Sequence, residues 1–510
     1  MIQSSTLLAD FLLTEMARPD GPAGPSGGLP LNRRLYEALR RAMLDGRLSA
    51  GDRLPSSRDL AQDLRLSRNT VVAALEQLSA EGYLVSRVGS GTYVHEQLPQ
   101  TFGAARRGGV GDPARLPGLS ARGRVLAEHH GARELEIQPF TPGAADFSAF
   151  PVALWQRLQN RHWRSARPEM LDYTTSGGYG PLRRAVADYL RVSRSVRLDP
   201  EQVLITTGTQ QSLELCARLL ADAGDVVWIE DPAYWGAIKA FTACGLQLQP
   251  IPVDAEGLQP PATGEATPRL IYVTPSHQYP TGVVMSLVRR RALLAQAARA
   301  DAWVLEDDYD SEFRFDGAPI ASLAGLDDDG RVCYLGTFSK VLYPGLKLGY
   351  LVAPRGWVEA FRQAHYDLYR PGQLPLQAAL AEFIEMGHFA AALRRTRQTY
   401  AGRRAQLLHA LAPLLDVEGV HITGAAQGLH LCLRLPLSVD DHAVAQALAA
   451  EGISVRPLSA YCLQRRDLRG LLIGYGYAQP ALIEPSARRI VQRVRDALDT
   501  RRLSTRPPGQ

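Results

Sequence analysis

Lysine is nearly absent from this chain. Of its 57 basic residues only Lys239, Lys340 and Lys347 are lysines, and the other 54 are arginines. Guanidinium does not deprotonate near neutral pH and cannot replace an amine nucleophile, so each lysine is read first for chemistry. Cysteine is scarce too. The five cysteines, at 216, 244, 333, 432 and 462, are odd in number and contain no CxxC pair. A disulfide framework and a zinc ribbon are both disfavoured, a reducing compartment fits best, and no metal is expected. No stretch reaches the roughly 18 uninterrupted apolar residues of a membrane span. The apolar start, Met1 to Leu13, carries neither a basic leader nor a cleavage signal, so the expectation is a cytoplasmic protein without membrane contact. Charge of one sign is not in large excess either: +5 over 510 residues does not by itself announce a polyanion partner.

What is present divides the chain. Residues 1–30 are expected to be a disordered or loosely ordered lead-in, because 18–30 are rich in glycine and proline. Residues 31–95 show helical spacing at Leu31, Leu35, Leu39 and Met43, then a short serine-capped helix from Ser57, then a second serine-capped helix over 68–81. Two strands around a glycine-rich tip follow, from Gly82 to Val94. Three helices with a tight turn between the last two, followed by such a hairpin, make a winged helix-turn-helix. Within 31–94 ten arginines face seven acids, a local excess of three. Arg68, Asn69 and Thr70 begin the recognition helix, where base and phosphate contacts in the major groove are made. Arg58, and Arg87 with Gly89 and Gly91 in the wing, are candidates for phosphate or minor-groove contacts on double-stranded DNA. Residues 96–136 lose all periodicity and read as a flexible linker.

From 137 to about 500 strands alternate with helices, which indicates a mostly parallel sheet covered by helices. Residues from about 376 to 500 are expected to form a smaller α+β part, and 501–510 a tail. Lys340 follows the strand-like run Val332-Cys333-Tyr334-Leu335 within Gly336-Thr337-Phe338-Ser339-Lys340. An amine at a strand end, beside small hydroxyl residues, is placed like a Schiff-base lysine next to a phosphate cradle. Upstream, the acidic run Glu306-Asp307-Asp308-Tyr309-Asp310-Ser311-Glu312 closes another strand, and ligands bind at the carboxyl ends of parallel strands. Asp307 could hold a protonated pyridine nitrogen, and Tyr309 could meet a ring hydroxyl. Gly208-Thr209-Gln210 lies between a strand and a helix, where its amides can meet a phosphate.

The strings Thr207 to Leu213, Asp231-Pro232-Ala233-Tyr234, Thr274 to Gly282 and Gly336 to Lys340 occur in order and together resemble the fold type I aminotransferases. With the segment from Leu54 to Val94, nearly the whole chain from residue 31 resembles the MocR subfamily of GntR-type transcriptional regulators. The resemblance implies an α/β protein: an N-terminal winged helix-turn-helix, then a fold type I transferase domain with a small C-terminal α+β domain. It implies pyridoxal 5'-phosphate on Lys340, with Ser339 and Thr337 as further phosphate ligands. Tyr234 matches the aromatic that stacks on the cofactor, and Tyr173 the tyrosine that reaches a partner subunit's phosphate. A homodimer is implied, possibly with exchanged domains.

Two departures stand out. Lys347 occupies the place of a phosphate-binding arginine, which keeps the charge but not the bidentate fork. Leu472 occupies the place of the arginine that grips a substrate's α-carboxylate. Either Arg469 or Arg456 takes over, or the effector is not an ordinary amino acid. Tyr279, moreover, stands where many aminotransferases have asparagine. The expected function is a pyridoxal-phosphate-dependent regulator that senses an amine or amino acid effector, or the cofactor itself. The alternative is an active aminotransferase with an appended DNA-binding domain.

Overall fold

The structure is a computed structural model and describes residues 2–17, 29–87, 90–96, 118–127, 138–148, 150–261, 266–317 and 320–504. The chain forms two compact units, Met1–Gly118 and Leu119–Gln510.

In the first unit, α2 (Leu31–Leu44) and α4 (Arg68–Ala80) pack their apolar faces together, burying Leu35, Leu39, Met43, Val71, Leu75 and Leu78. Between them α3 (Ser57–Asp63) starts at Ser56, whose hydroxyl accepts the Asp59 amide at 3.2 Å. Ser67 does the same for α4, accepting the Thr70 amide at 3.1 Å. These caps supply partners for amides that a helix start leaves open. Strands β1 (Leu84–Arg87) and β2 (Gly91–Val94) pair antiparallel as the wing. The expectation of a loosely ordered start fails over residues 2–17. They form a helix, α1 (Ile2–Ala17), because Ala9, Leu12 and Met16 fall on one face and are buried in the same core. Arg34 donates to the Met16 carbonyl and Arg41 pairs with Glu15, tying α1 to α2.

The second unit opens with α5 (Ala121–Ala127), which lies inside the segment expected to be linker. After it come α6 (Val152–Arg164), α7 (Gly180–Arg194), α8 (Thr209–Leu220), α9 (Trp235–Cys244) and α10 (Leu287–Ala300). They are interleaved with β3 (Val203–Thr206), β4 (Val226–Asp231), β5 (Gln247–Asp254), β6 (Gly257–Leu258), β7 (Leu270–Val273), β8 (Trp303–Asp308), β9 (Val332–Thr337) and β10 (Gly349–Val352). These eight strands form one sheet in the order β3-β10-β9-β8-β7-β4-β5-β6. Strands β9, β8, β7, β4 and β5 are parallel neighbours, and β10 runs against both β9 and β3. Their carboxyl ends, carrying Thr206, Asp231, Asp307 and Thr337, therefore share one edge. Such continuous apolar strands suit a sheet covered by helices on both faces.

A second, antiparallel sheet carries β11 (His421–Thr423), β12 (His430–Leu435), β13 (Arg456–Pro457) and β14 (Arg469–Gly474), in the order β11-β12-β14-β13. Its inner face, with Leu431, Leu433, Leu471 and Ile473, is buried against the long helices His388–Leu411 and Pro480–Ser504. Helix α5 is held on α9 at both ends. Lys239 of α9 donates to the Val125 and Leu126 carbonyls that end α5, and Arg122 of α5 reaches the Ala243 carbonyl near the end of α9 at 3.4 Å. Cations at carbonyl-bearing helix ends are favourable through both hydrogen bonding and the helix dipole.

Candidate functional site

Lys340 lies three residues past the end of β9, and its Nζ donates to the Gly143 carbonyl at 2.8 Å. Its charge reaches Asp307 at the end of β8, where it favours the carboxylate. The acidic run of β8 is thus sorted by its partners. Glu306 accepts the Leu323 and Ala324 amides at 2.9 and 2.8 Å. Asp308 accepts the Tyr334 hydroxyl at 2.6 Å and Arg194 Nε at 2.9 Å. Asp310 holds His277 Nδ1 at 3.0 Å, and Glu312 the Tyr189 hydroxyl at 3.2 Å. Asp307 differs from them: Oδ2 accepts the Tyr272 hydroxyl at 2.9 Å, while the buried Oδ1 has no partner. Burial pushes this carboxyl up to about 7, and the Tyr272 hydrogen bond only partly opposes the rise. An unsatisfied buried acceptor is costly. A protonated ring nitrogen is the kind of group that would satisfy it.

The loop between β3 and α8 is shaped by glycine. Gly208 precedes α8 with φ of 131°, a conformation that L side chains rarely adopt, and a Cβ there would meet nothing within 4 Å. Thr209, half-buried, and Gln210, exposed, open α8 beside that space, and a helix start offers amides to an anion. Gln210 anchors the loop by donating to the Gly236 carbonyl at 3.1 Å. On its other side the loop lies so close to β10 that a Cβ on Gly349 would come within 2.9 Å of Gly208 Cα. Thr337 accepts the Ser339 amide at 3.1 Å, which fixes the turn into Lys340. Lys347 is exposed, with φ of 51°, and ends the turn Pro344–Leu346. Tyr173 is 59% exposed.

Aromatic rings line the remaining wall. Tyr279 is central, with ring centroids 5.6 Å from Tyr234, 5.9 Å from Tyr309, 5.4 Å from His430 and 5.5 Å from Tyr461. The Tyr309 hydroxyl donates to the His277 carbonyl at 2.8 Å. The two arginines considered for an effector separate: Arg456 is buried, whereas Arg469 lines a shallow pocket with Asp440, His442 and Ser459 and donates to its neighbour's carbonyl, Leu468, at 2.8 Å.

Two features escaped sequence reasoning. Glu230 is buried beside Thr274 and Gln278 with Oε1 unpartnered, and burial pushes it up to about 7. His277, Asp310 and His430 bring ligand-type atoms within 4.8 Å of one another. They pack as a hydrogen-bonded seam: His430 Nε2 lies 3.2 Å from the Pro280 carbonyl, and a Cβ on Gly282 would come within 2.9 Å of His277 Nε2. Burial, with His277 and Lys340 nearby, drives His430 well below the usual imidazole range, so it stays neutral. Its only signal in the sequence is a lone histidine opening the apolar run Leu431-Cys432-Leu433.

Residues 143–470 match the family of aminotransferases class I and II, and residues 31–94 match the bacterial regulatory proteins of the gntR family. The "Probable rhizopine catabolism regulatory protein MocR" of Rhizobium meliloti is 40% identical over 453 residues, 89% of this chain and 91% of that one. The chain belongs to the MocR subfamily of GntR-type transcriptional regulators. The "HTH-type pyridoxine biosynthesis transcriptional regulator PdxR" of Corynebacterium glutamicum is 33% identical and covers 87% of this chain and 91% of its own. Among solved structures, the α-aminoadipate aminotransferase LysN of Thermus thermophilus, complexed with N-(5'-phosphopyridoxyl)-L-leucine, superposes with a TM-score of 0.64. It is 29% identical and covers 71% of this chain and 93% of its own.

The gntR match assigns DNA binding to the first unit of this MocR-type regulator. There Arg58, Arg68 and Asn69 are exposed, while the Thr70 hydroxyl lies 2.8 Å from Ser67 Oγ and shares in the cap. Arg87 lies over the Tyr93 ring at 5.0 Å in the wing. Gly91, with φ of 120°, lies against Arg53, whose Nε would be 3.0 Å from a Cβ there. Gly89 falls outside the described residues. Among the described residues no helix is long and apolar enough to cross a membrane.

Proposed function

We propose that this MocR-type regulator acts in the cytoplasm, binds double-stranded DNA through residues 31–95, and is controlled by pyridoxal 5'-phosphate held at Lys340. The observation that carries the reading is Asp307 Oδ1, a buried acceptor without a partner in the electrostatic reach of Lys340. In this arrangement Lys340 supplies the amine, Asp307 takes the pyridine nitrogen and Tyr309 the ring hydroxyl, and Tyr234 covers the ring. Gly208, Thr209 and Gln210, with Thr337, Ser339 and Lys347, receive the phosphate. Bound pyridoxal phosphate supplies an aldehyde that exchanges between Lys340 and other primary amines. Tyr173, exposed as it is, serves a second copy of the chain, so that the regulator is a homodimer presenting two winged helices to two half-sites.

An amine or amino acid effector that displaces Lys340 changes the contacts between the two sheets. That difference is what a two-state switch requires. Leu472 and Tyr279 stand where turnover would favour arginine and asparagine, so sensing is favoured over an aminotransferase cycle. A second reading, in which cofactor occupancy is itself the signal, is favoured by the likeness to the pyridoxine biosynthesis regulator.

The test is a visible absorption spectrum of the full chain with and without pyridoxal phosphate. It is followed by titration with amino acids, alongside a DNA shift assay on the protein's own promoter. A band near ~420 nm is expected for a protonated Schiff base, and Lys340→Ala should abolish it. A band surviving in that variant would refute the assignment of Lys340. An amino acid that moves both the band and the DNA shift supports effector sensing; DNA binding that follows the cofactor alone supports the second reading.

A further inference from the structure

The side chains of Asp310, His277 and Tyr309 form a chain of hydrogen bonds whose direction follows from its first member. His277 Nδ1 lies 3.0 and 3.2 Å from the two Asp310 oxygens and 3.1 Å from the Tyr309 hydroxyl. As a carboxylate Asp310 only accepts, so Nδ1 carries the proton. The Tyr309 oxygen, facing that same N–H, accepts from it in turn. The Tyr309 proton is thereby kept off the imidazole. It is donated to the His277 carbonyl at 2.8 Å, and a rotation about the C–O bond alone turns it to another acceptor.

The surroundings hold the imidazole in place. His277 and Asp310 are both buried, and among the described residues no side chain other than His277 donates to the Asp310 carboxylate. Glycines close on the rest of the ring. A Cβ on Gly282 or Gly424 would lie 2.9 or 3.3 Å from Nε2, and one on Gly428 would lie 2.1 Å from Cε1. Gly424 and Gly428 belong to the turn from β11 to β12, so the small sheet clamps the ring against Tyr309. Nε2 has no hydrogen-bond partner in this cage, which leaves Nδ1 as the working nitrogen. The ionisable neighbours are Glu230, Asp307 and Tyr279 around Tyr309, Glu312 and Tyr475 around Asp310, and the neutral His430, whose ring centroid lies 4.8 Å from that of His277. Among the described residues only Asp310 and Tyr309 share the Nδ1 proton.

We infer that His277 is a positioning residue for Tyr309, with Asp310 fixing its tautomer, so that the Tyr309 hydroxyl is set as a donor toward the cofactor's ring hydroxyl. Successive hydrogen bonds polarise one another, so the imidazole N–H makes that hydroxyl a stronger donor. A bond donated to the ring oxygen favours the form with more negative charge there, the unprotonated Schiff base. The chain of bonds therefore lowers the pH at which the Schiff base loses its proton. The inference rests on the reading of Lys340 as the cofactor lysine and of Tyr309 as the residue at the ring hydroxyl.

The experiment titrates the visible spectrum of the full chain loaded with pyridoxal phosphate and reads the pH at which the ~420 nm band gives way. Tyr309→Phe should raise that midpoint by about one pH unit, the worth of a hydrogen bond to a charged group. The same substitution is then made beside His277→Asn and beside His277→Leu. Asparagine facing the Asp310 carboxylate presents an N–H near the place of Nδ1, so the Tyr309→Phe shift should persist in full. Leucine presents none, and the shift should fall below about half. Effects of altered charge or packing are common to both members of each pair and cancel. An equal Tyr309→Phe shift in all three backgrounds would overturn the assignment, as would its loss beside His277→Asn. Should His277→Leu fail to fold because Asp310 is left unpaired, His277→Leu combined with Asp310→Leu replaces the buried pair by apolar residues and answers the same question. A wild type without any cofactor band would remove the reading of Lys340, and a band whose midpoint Tyr309→Phe leaves unmoved would remove that of Tyr309; this assignment falls with either.

Discussion

Replacing Asp307 with asparagine isolates the cost of burying a carboxyl group whose Oδ1 has no hydrogen-bond partner. Burial pushes the folded-state carboxyl up to about 7 from an ordinary 3.8. In the unfolded chain the proton leaves near 4; in the folded protein it stays until about 7. Between those values the folded state holds the extra proton, so stability is fully present below the unfolded value and is lost as pH rises. At ~1.4 kcal/mol per pH unit, the three-unit interval amounts to about 4 kcal/mol at most. Asparagine keeps an acceptor for the Tyr272 hydroxyl and does not titrate.

The cofactor-free variant should therefore match the wild type at or below about pH 4, the unfolded value, and exceed it by up to about 4 kcal/mol near pH 8. Glu230, whose own rise is helped by Asp307, adds to the difference because it becomes easier to ionise once Asp307 is gone. Urea unfolding followed by tryptophan fluorescence is the assay, since all six tryptophans lie in residues 119–510 and report that unit alone. Parallel stability curves for the two proteins from pH 5 to 8 would refute the argument. With pyridoxal phosphate present the order should reverse, because asparagine cannot balance a protonated ring nitrogen.

Arg68→Ala should weaken operator binding by about 1–3 kcal/mol and relax base preference. Arg87→Ala should weaken all sequences evenly and lower the salt slope by about one; gel shifts on operator and random DNA at several salt concentrations separate the two. Gly428→Ala, whose Cβ would lie 2.1 Å from His277 Cε1 and 2.7 Å from Asp310 Oδ2 at φ of 83°, should cost about 3 kcal/mol or more in urea unfolding. Gly330→Ala, at φ of 69° with nothing within 4 Å, should cost only about 1 kcal/mol. Lys239→Met should leave the cofactor band intact, increase hydrogen exchange over residues 121–127, and blunt the response of DNA binding to ligand.

The winged helix and the alternating large domain were legible because their signals are local. Ser67 marks the start of α4 where it occurs, at Arg68, and the apolar runs after it and in β3, β7 and β9 have the period of their element. Lys340, Asp307 and Tyr309 could be picked out because strand ends order them along one edge. Helix α1 was hidden by the breaker-rich stretch after it: its apolar face has meaning only against α2, with which it pairs through Glu15 and Arg41. The short α5 buries no side chain and is held by Lys239, far along the chain. The positions of His430, Arg456 and Arg469 depend on strand register, which sets the face of every residue at once. No local pattern in β13, only two residues long, discloses it.

The position of α9 explains how a small change at the cofactor could leave the site. Its N-terminal cap is Tyr234, whose ring meets Tyr279, and its first turn is tied to the start of α8 by the Gln210 to Gly236 hydrogen bond. Lys239 at its middle and the Ala243 carbonyl near its end are both in contact with α5. A helix is stiff along its axis, so a tilt imposed at Tyr234 would be delivered at Lys239. The receiving element is easy to dislodge, because α5 buries no side chain and is held chiefly by exchangeable polar contacts, the kind of segment that opens at low cost. It is also the first described stretch of the large unit, where the chain arrives from the winged helix. If the cofactor binds as proposed, hydrogen exchange over residues 121–127 should differ with and without pyridoxal phosphate, and identical exchange in the two states would rule out this route.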